Sequence, residues 1–329
     1  MLLKSLSAIY QAVTGARNLL YDRGVLKTSR CGLPVISIGN IQAGGSGKTP
    51  LVIFMAGELK QRGRRPVVLS RGYGAKVVRP MLVDKASSFD VCGDEPLLIA
   101  RCAEVPVVVS PDRVAGAALI ENQQLGDVIV LDDGFQHRRL KRDIDIVLIN
   151  AGSPSALKDF LENRLLPYGS LREDRNKALK RADLAVISTR QPSMAVAEEA
   201  AILRLLPKRI TLFKSYFEGK EVAALANGSK LEPCEVAAFC GIANPDAFFA
   251  TLSHLGFKVI HKKVFRDHFR FHSSDIAALR KQFPAHPLVC TEKDAVRISA
   301  DETANLFVLK GRARIVPADA FMVQVMKAL

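Results

Sequence analysis

Residues 39–50 read GNIQAGGSGKTP, and the fold is decided there. An apolar run at 33–38 (LPVISI) precedes them, and a helix-compatible stretch at 50–62 follows. A glycine-rich loop ending in Lys-Thr, set between a first strand and a first helix, is the arrangement of a phosphate loop. Glycines let successive backbone N–H groups turn inward around phosphate oxygens. The next helix points its positive end at the same oxygens. Gly44, Gly45, Ser46, Gly47, Lys48 and Thr49 are therefore the nucleotide-binding candidates. Lys48 is placed to reach the β- and γ-phosphates, and the Thr49 hydroxyl to bind Mg²⁺. The strict pattern places glycine six residues before the lysine, where this chain has Gln42. An ordinary glycine-rich turn is the bland alternative, and it does not require the strand, loop, Lys-Thr and helix to fall in this order.

Outward from the loop, short Val- and Ile-rich runs recur at 66–69, 105–109, 128–131, 144–149 and 184–187. Helix-compatible segments lie between several of them, at 95–103 and 112–122 for example. Continuous apolar strands alternating with helices predict an α/β, P-loop NTPase-type, mostly parallel sheet with helices on both faces. The pattern weakens near 206–217. The remainder predicts a smaller α/β C-terminal domain, with helices near 246–255 and 274–282 and a strand near 288–291. The expected boundaries are 1–30, 31–212 and 213–329.

The chain has 329 residues, 48% of them hydrophobic, and a formal net charge of +14. That apolar fraction excludes a disordered chain. Six cysteines at no C-x-x-C spacing exclude a zinc ribbon and argue for reduced thiols. The positive charge leaves nucleic acid, an anionic membrane and phosphorylated ligands open. No apolar run is long enough to predict a membrane-spanning helix. At the N-terminus Leu2, Leu6, Ile9, Val13, Ala16 and Leu20 share one helical face, with Lys4, Ser7, Gln11, Thr14 and Asn18 roughly opposite. Five cations and one acid fall within residues 1–30. Such a basic amphipathic helix either lies in a membrane surface or packs on the protein's own core.

Residues 128–134 (VIVLDDG) form the second anchor, a buried strand ending in acid. Either Asp132 or Asp133 suits the Mg²⁺-organising role beside a phosphate loop. Partition-type ATPases carry a second lysine before the Gly-Gly pair, where Ala43 stands. The guanine-reading N-K-x-D spacing is absent, since TEKD (291–294) sets Lys293 directly beside Asp294. ATP is thus favoured over GTP.

Eight segments, in this order, now carry a family resemblance: GNIQAGGSGKTP, LSRGYG (69–74), GDEP (93–96), DDGFQHRRLKRDIDIVLIN (132–150), LLPYGSLRE (165–173), GIANPDAF (241–248), FRDHFRF (265–271) and TEKDAVRI (291–298). The chain resembles the tetraacyldisaccharide 4′-kinase family of the lipid A pathway of Gram-negative bacteria, from about residue 1 to 300. Tyr168 and Ser170 depart from it, standing where the family usually carries Ala and Pro.

The resemblance implies transfer of the ATP γ-phosphate to a sugar hydroxyl of a lipid-linked disaccharide phosphate, with ATP and Mg²⁺ as cofactors. It implies Asp94 as the base that activates the hydroxyl and His268 as its partner. Asp94 also suits a helix cap, the structural alternative. Glu95 and Asp133 are further Mg²⁺ candidates. Arg71, Gln136, His137, Arg172 and Glu173 are candidates for the lipid phosphate and sugar, against the alternative of a solvated basic face. Lys293 and Asp294 are assigned to structure near the nucleotide, and His272 to the surface. Asp94 and His268 lie in different expected domains, so the site is expected in a cleft between them.

Basic residues cluster at 60–85 and at Arg138, Arg139, Lys141 and Arg142. With the basic N-terminal helix they suit a peripheral protein on the cytoplasmic face of an inner membrane. Two rivals are a non-catalytic nucleotide switch and a nucleic-acid-binding ATPase. The absence of Trp and of a helix-turn-helix pattern argues against nucleic acid. Oligomeric state stays open.

Overall fold

The computed structural model describes residues 2–189 and 194–329. Its strands are β1 (Val35–Asn40), β2 (Pro66–Ser70), β3 (Met81–Leu82), β4 (Val107–Val109), β5 (Val128–Asp132), β6 (Ile144–Asn150), β7 (Leu184–Thr189), β8 (Thr211–Ala224), β9 (Lys230–Leu231), β10 (Glu235–Cys240), β11 (Lys258–Val264), β12 (Leu288–Thr291) and β13 (Leu306–Val316). They join one sheet in the order β11-β10-β12-β13-β8-β7-β6-β1-β5-β2-β4-β3, with β9 beside β8.

From β4 to β8 every pairing is parallel, and so is every pairing from β13 to β11. The expected buried strands form here because both faces are covered. All six residues of β1 are buried, as are all five of β5. Helix Lys48–Gln61 buries Leu51, Val52, Met55, Ala56 and Leu59 against one face. Helix Arg113–Asn122 covers the opposite face, near Val67, Leu69, Ile129 and Leu131.

The two parallel parts meet through an antiparallel pair, β8 with β13. Residues 211–216 of β8 extend the first part by pairing with β7, while 214–224 pair with β13. The expected change near residue 212 therefore falls inside a continuous strand. The chain's last segment also returns. Helix Ala318–Met326 packs Phe321, Met322 and Val325 into the core of the P-loop part. Phe321 meets Phe213 at 5.1 Å between ring centroids and Phe54 at 6.5 Å.

Helix Leu2–Asp22 sits the other way round from a core helix. Its polar edge faces the protein. Ser7 Oγ donates to the Leu165 carbonyl at 2.9 Å, Tyr10 Oη to the Arg172 carbonyl at 3.0 Å, and Asn18 Nδ2 to Glu173 Oε2 at 2.9 Å. Arg138 clasps the far end through the Asn18 carbonyl and Asp22. The stripe of Leu2, Leu6, Ile9 and Val13 is exposed, with Ile9 62% and Val13 64% accessible. Tyr168, one of the departures, lies under the Lys4 ammonium at 5.2 Å. Among the described residues, no helix is long and apolar enough to cross a membrane.

Candidate active site

The phosphate loop joins β1 to helix Lys48–Gln61. Gly44 and Gly47 take φ of 99° and 79°, conformations L side chains rarely adopt, so glycine is needed for the turn. Gln42 replaces the expected first glycine with a brace. It is buried, accepts from Asn150 N at 2.8 Å, and donates to the Ala156 carbonyl at 2.8 Å. Asn40 Nδ2 donates to Ser46 Oγ at 2.8 Å, and Asn150 Nδ2 to the Gly45 carbonyl at 3.0 Å. The loop is thus held open by side chains on β1 and β6. Lys48 Nζ reaches Asn40 Oδ1 at 3.4 Å and lies 3.7 Å from Asp133.

The two aspartates at the end of β5 differ in partners. Asp133, at φ 48°, accepts from Arg172 Nη1 at 3.1 Å. Burial pushes its carboxyl up, but Lys48 and Arg172 outweigh that and hold it below the ordinary value. Asp132 is 3% exposed, and Ser70 Oγ donates to its Oδ2 at 2.8 Å. Burial first, then the charges of Glu95 and Asp133, push its proton affinity up. A buried carboxylate beside two others, with no cation hydrogen-bonded to it, fits a divalent ion. No cluster of three or more His, Cys, Asp or Glu side chains among the described residues holds a metal unaided. Mg²⁺ beside a nucleotide needs no such cluster, because phosphates and waters supply most of its ligands.

Asp94 begins helix Asp94–Ala103, directly after Gly93. It is buried, and its Oδ2 lies 2.8 Å from His268 Nδ1. His268 comes from the loop after β11, at φ 58°. The pair joins the helix after β3 in the first part of the sheet to the loop after β11 in the second. Burial raises the Asp94 carboxyl, yet the His268 hydrogen bond and the Lys293, His268 and Arg297 charges bring it below its ordinary value. The same hydrogen bond raises His268 above its ordinary value against the opposing pull of burial.

One cleft of about 1350 Å³ lies against the loop, Asp132, Asp133, Glu95 and His268. Thr49, Arg71 and Arg172 line it too. The other three sugar and phosphate candidates lie behind this wall. Gln136 donates to the Asn40 carbonyl at 2.8 Å and to Glu173 Oε1 at 3.2 Å. Glu173 is 1% exposed and ion-paired with Arg181 at 2.9 Å, so here it ties the wall to the first helix. His137 is half-buried with its Nε2 unpartnered, and burial beside Arg113 lowers its pKa to about 4.

Sequence reasoning missed Ser70, Asn40, Asn150 and Arg297 as site residues. Asn40 lies in GNIQAGGSGKTP, Ser70 in LSRGYG, Asn150 at the end of DDGFQHRRLKRDIDIVLIN and Arg297 in TEKDAVRI, so all four lie inside the quoted segments.

A phosphate loop, an acid-ended neighbouring strand and a carboxylate–histidine pair whose histidine lines the cleft describe a phosphoryl-transfer site without naming its substrate. The comparisons narrow this. The whole chain, residues 1–329, matches the family described as tetraacyldisaccharide-1-P 4′-kinase. It is 38% identical over 300 residues to the tetraacyldisaccharide 4′-kinase of Aeromonas salmonicida, covering 90% of this chain and 83% of that one. It is 40% identical over 313 residues to the kinase of that name from Anaeromyxobacter sp. strain Fw109-5, covering 90% and 82%. LpxK of Aquifex aeolicus, solved in complex with ATP, superposes with a TM-score of 0.79 at 31% identity, covering 100% of this chain and 99% of the other. Motif order, site geometry and full-length likeness agree, and this chain belongs to the tetraacyldisaccharide-1-P 4′-kinase family.

Proposed function

We propose that this chain transfers the γ-phosphate of ATP to the 4′-hydroxyl of a tetraacyldisaccharide 1-phosphate at a membrane surface. The observation that carries the reading is the Asp94–His268 pair, 2.8 Å apart, with His268 and the neighbouring Glu95 lining the phosphate-loop cleft.

A sugar hydroxyl is a weak nucleophile at neutral pH, so a placed base matters. Asp94 accepts the hydroxyl proton as the oxygen attacks phosphorus. His268 orients the carboxylate, and Glu95 N, donating to Asp94 Oδ1 at 2.9 Å, fixes its second oxygen. Lys48 and the loop amides meet the charge on the transferring phosphoryl group. Thr49, Asp132 and Glu95 would hold Mg²⁺, which neutralises phosphate charge when bound, with Asp133 beside them in the cleft lining. Arg71 and Arg172 offer donor forks to the lipid's sugar phosphate. Gln136 and Glu173 support that wall from behind.

The exposed apolar stripe of helix Leu2–Asp22, beside Arg17, Arg23, Lys27 and Arg30, supports a peripheral position on anionic lipid. In a Gram-negative cell this is the cytoplasmic face of the inner membrane. A nucleotide switch needs no base for a hydroxyl, and Asp94–His268 favours the kinase. A nucleic-acid partner is not part of this reading.

The test is transfer of labelled phosphate from ATP to a purified tetraacyldisaccharide 1-phosphate in mixed micelles. Asp94→Ala should lower kcat about 10²- to 10⁴-fold with little change in the KM for ATP. An unchanged kcat refutes the base.

A further inference from the structure

The short helix Glu292–Ala295 rests on an unusually well-tied base. Asp294 has no exposed surface, and accepts from Gly241 N at 2.9 Å, Arg297 Nη2 at 2.7 Å and Thr291 Oγ1 at 2.6 Å. Arg297, 2% exposed, also donates to the carbonyls of Lys293 at 3.1 Å, Phe269 at 3.2 Å and Gly241 at 3.0 Å. A buried pair with its hydrogen bonds made fixes what is attached to it. Attached here are the exit of β10 and the loop that carries His268.

Lys293 projects from that base. Its Nζ lies 3.3 Å from Glu95 Oε1, 3.3 Å from His268 Nε2 and 3.9 Å from Asp267 Oδ1. An ammonium group has only hydrogens to offer. The ring nitrogen facing it must supply a lone pair, which leaves the ring hydrogen on Nδ1. Nδ1 faces Asp94 Oδ2 at 2.8 Å, and in that tautomer it donates to the carboxylate. The other tautomer would set Nε2–H against the ammonium and a nitrogen lone pair against the carboxylate. The imidazolium would likewise present a second N–H to Lys293.

We propose that Lys293 is a positioning residue that selects the Nδ1–H tautomer of His268 and so keeps the Asp94 carboxylate aimed at the incoming hydroxyl. The inference deepens the assignment of Asp94 as base and rests on it. The groups facing this pair are Lys293 at 3.3 Å and Asp267 Oδ2 at 3.9 Å from Nε2, the Tyr73 ring at 6.1 Å, and Arg297 Nε at 3.8 Å from Asp94 on the buried side. Of these, Lys293 alone meets Nε2 with a hydrogen-bond donor. The TEKD segment thereby gains a place in the chemistry. The four-residue helix sets Lys293 over the cleft, and Asp294, the next residue, anchors it.

The test uses the full chain, labelled with [¹⁵N]histidine, in detergent micelles. Long-range ¹H–¹⁵N spectra distinguish a ring nitrogen that carries hydrogen from one that does not, and His268→Asn assigns the signal. The wild type should carry hydrogen on Nδ1. Lys293→Met should show mixed or reversed tautomers and lose about 10- to 100-fold in kcat, the usual cost of losing an orienting partner, with the KM for ATP nearly unchanged. Lys293→Arg, which keeps a donor, should restore most of both. The same Nδ1–H tautomer in Lys293→Met overturns the proposal. So does a raised KM for ATP with kcat preserved, which places Lys293 on the phosphates. A tautomer shift with kcat unchanged supports selection by Lys293 and removes Asp94 from the role of base.

Discussion

The first and last helices of the described chain, Leu2–Asp22 and Ala318–Met326, use their apolar stripes in opposite directions. The last turns Phe321, Met322 and Val325 inward, where none is more than 1% exposed. The first turns Leu2, Leu6, Ile9 and Val13 outward and is seated by hydrogen bonds from Ser7, Tyr10 and Asn18. Apolar periodicity alone does not say which side a helix buries. That is decided by what the polar edge can find. In the first helix the polar edge finds a carbonyl row at Leu165 and Arg172 and a buried carboxylate at Glu173. On the last helix Asp319 finds only the exposed Arg62 ion pair at 3.8 Å among the described residues, and the apolar side completes the P-loop part's core.

The sharpest way to break this comparison is to remove an anchor of the last helix. Phe321→Ala leaves a cavity among Phe54, Phe213 and the main core, and should cost about 3–5 kcal/mol of stability. Thermal unfolding measures it. A loss below about 1 kcal/mol would mean the helix is not part of that core.

Next comes the seat of the first helix. Glu173 accepts from Asn18, Gln136 and Arg181. Glu173→Gln puts an amide among donors and leaves Arg181 without its counter-charge, a cost of about 1–3 kcal/mol. Hydrogen exchange should show protection lost first in Leu2–Asp22, ahead of Ala318–Met326. Equal loss in both would show that the two helices are not independently seated.

The contrast also explains what could be read from the residues and what could not. The strands flanking the phosphate loop were legible because buried parallel strands are continuously apolar, as in 33–38 and 128–131. The Asp132–Asp133 end of β5 was legible from its place beside the loop. The antiparallel β8–β13 pair was not. Its less buried positions carry charge, as at the exposed Arg312 and half-buried Arg314, and its burial follows from a partner about a hundred residues away in the chain, as Ala313 opposite Phe217 shows. The wall behind Arg172 was hidden for a similar reason. Gln136 and Glu173 read as substrate candidates in the sequence, and their partners, Asn40, Asn18 and Arg181, come from three separate segments. Which aspartate needs a cation depended on Ser70, Lys48 and Arg172, and no spacing rule supplies those contacts.

A smaller effect separates the two seats by pH. Asp174 accepts from Lys177 N at 3.0 Å, Asn163 Nδ2 at 2.9 Å and Gln11 Nε2 at 3.4 Å. Burial pushes its carboxyl up, but the Lys177 N–H, the Asn163 amide and the Lys177 charge hold it below the ordinary 3.8. A carboxyl depressed in the folded state contributes stability fully above its unfolded value and loses it as pH falls through the folded value. The last helix has no ionisable group on its buried side. Hydrogen exchange, corrected for intrinsic rate, should therefore show the first helix loosening before the last as pH drops below about 4. The reverse order would contradict the assignment of the two seats.

The smallest effect on stability belongs to the outward stripe itself. Ile9 and Val13 are mostly exposed, so Ile9→Ser with Val13→Ser removes little buried area, and unfolding should move by less than about 0.5 kcal/mol. The same change should weaken co-sedimentation with anionic phospholipid vesicles, since each lost apolar side chain removes about 1.5–3 kcal/mol of transfer free energy from a membrane-inserted face. High salt should weaken the remainder, which rests on Lys and Arg. A large loss of stability with vesicle binding intact would reverse the reading and place the stripe against protein. Retained stability with lost vesicle binding separates the two helices by function as well as by orientation: one closes the core, and the other meets the lipid surface.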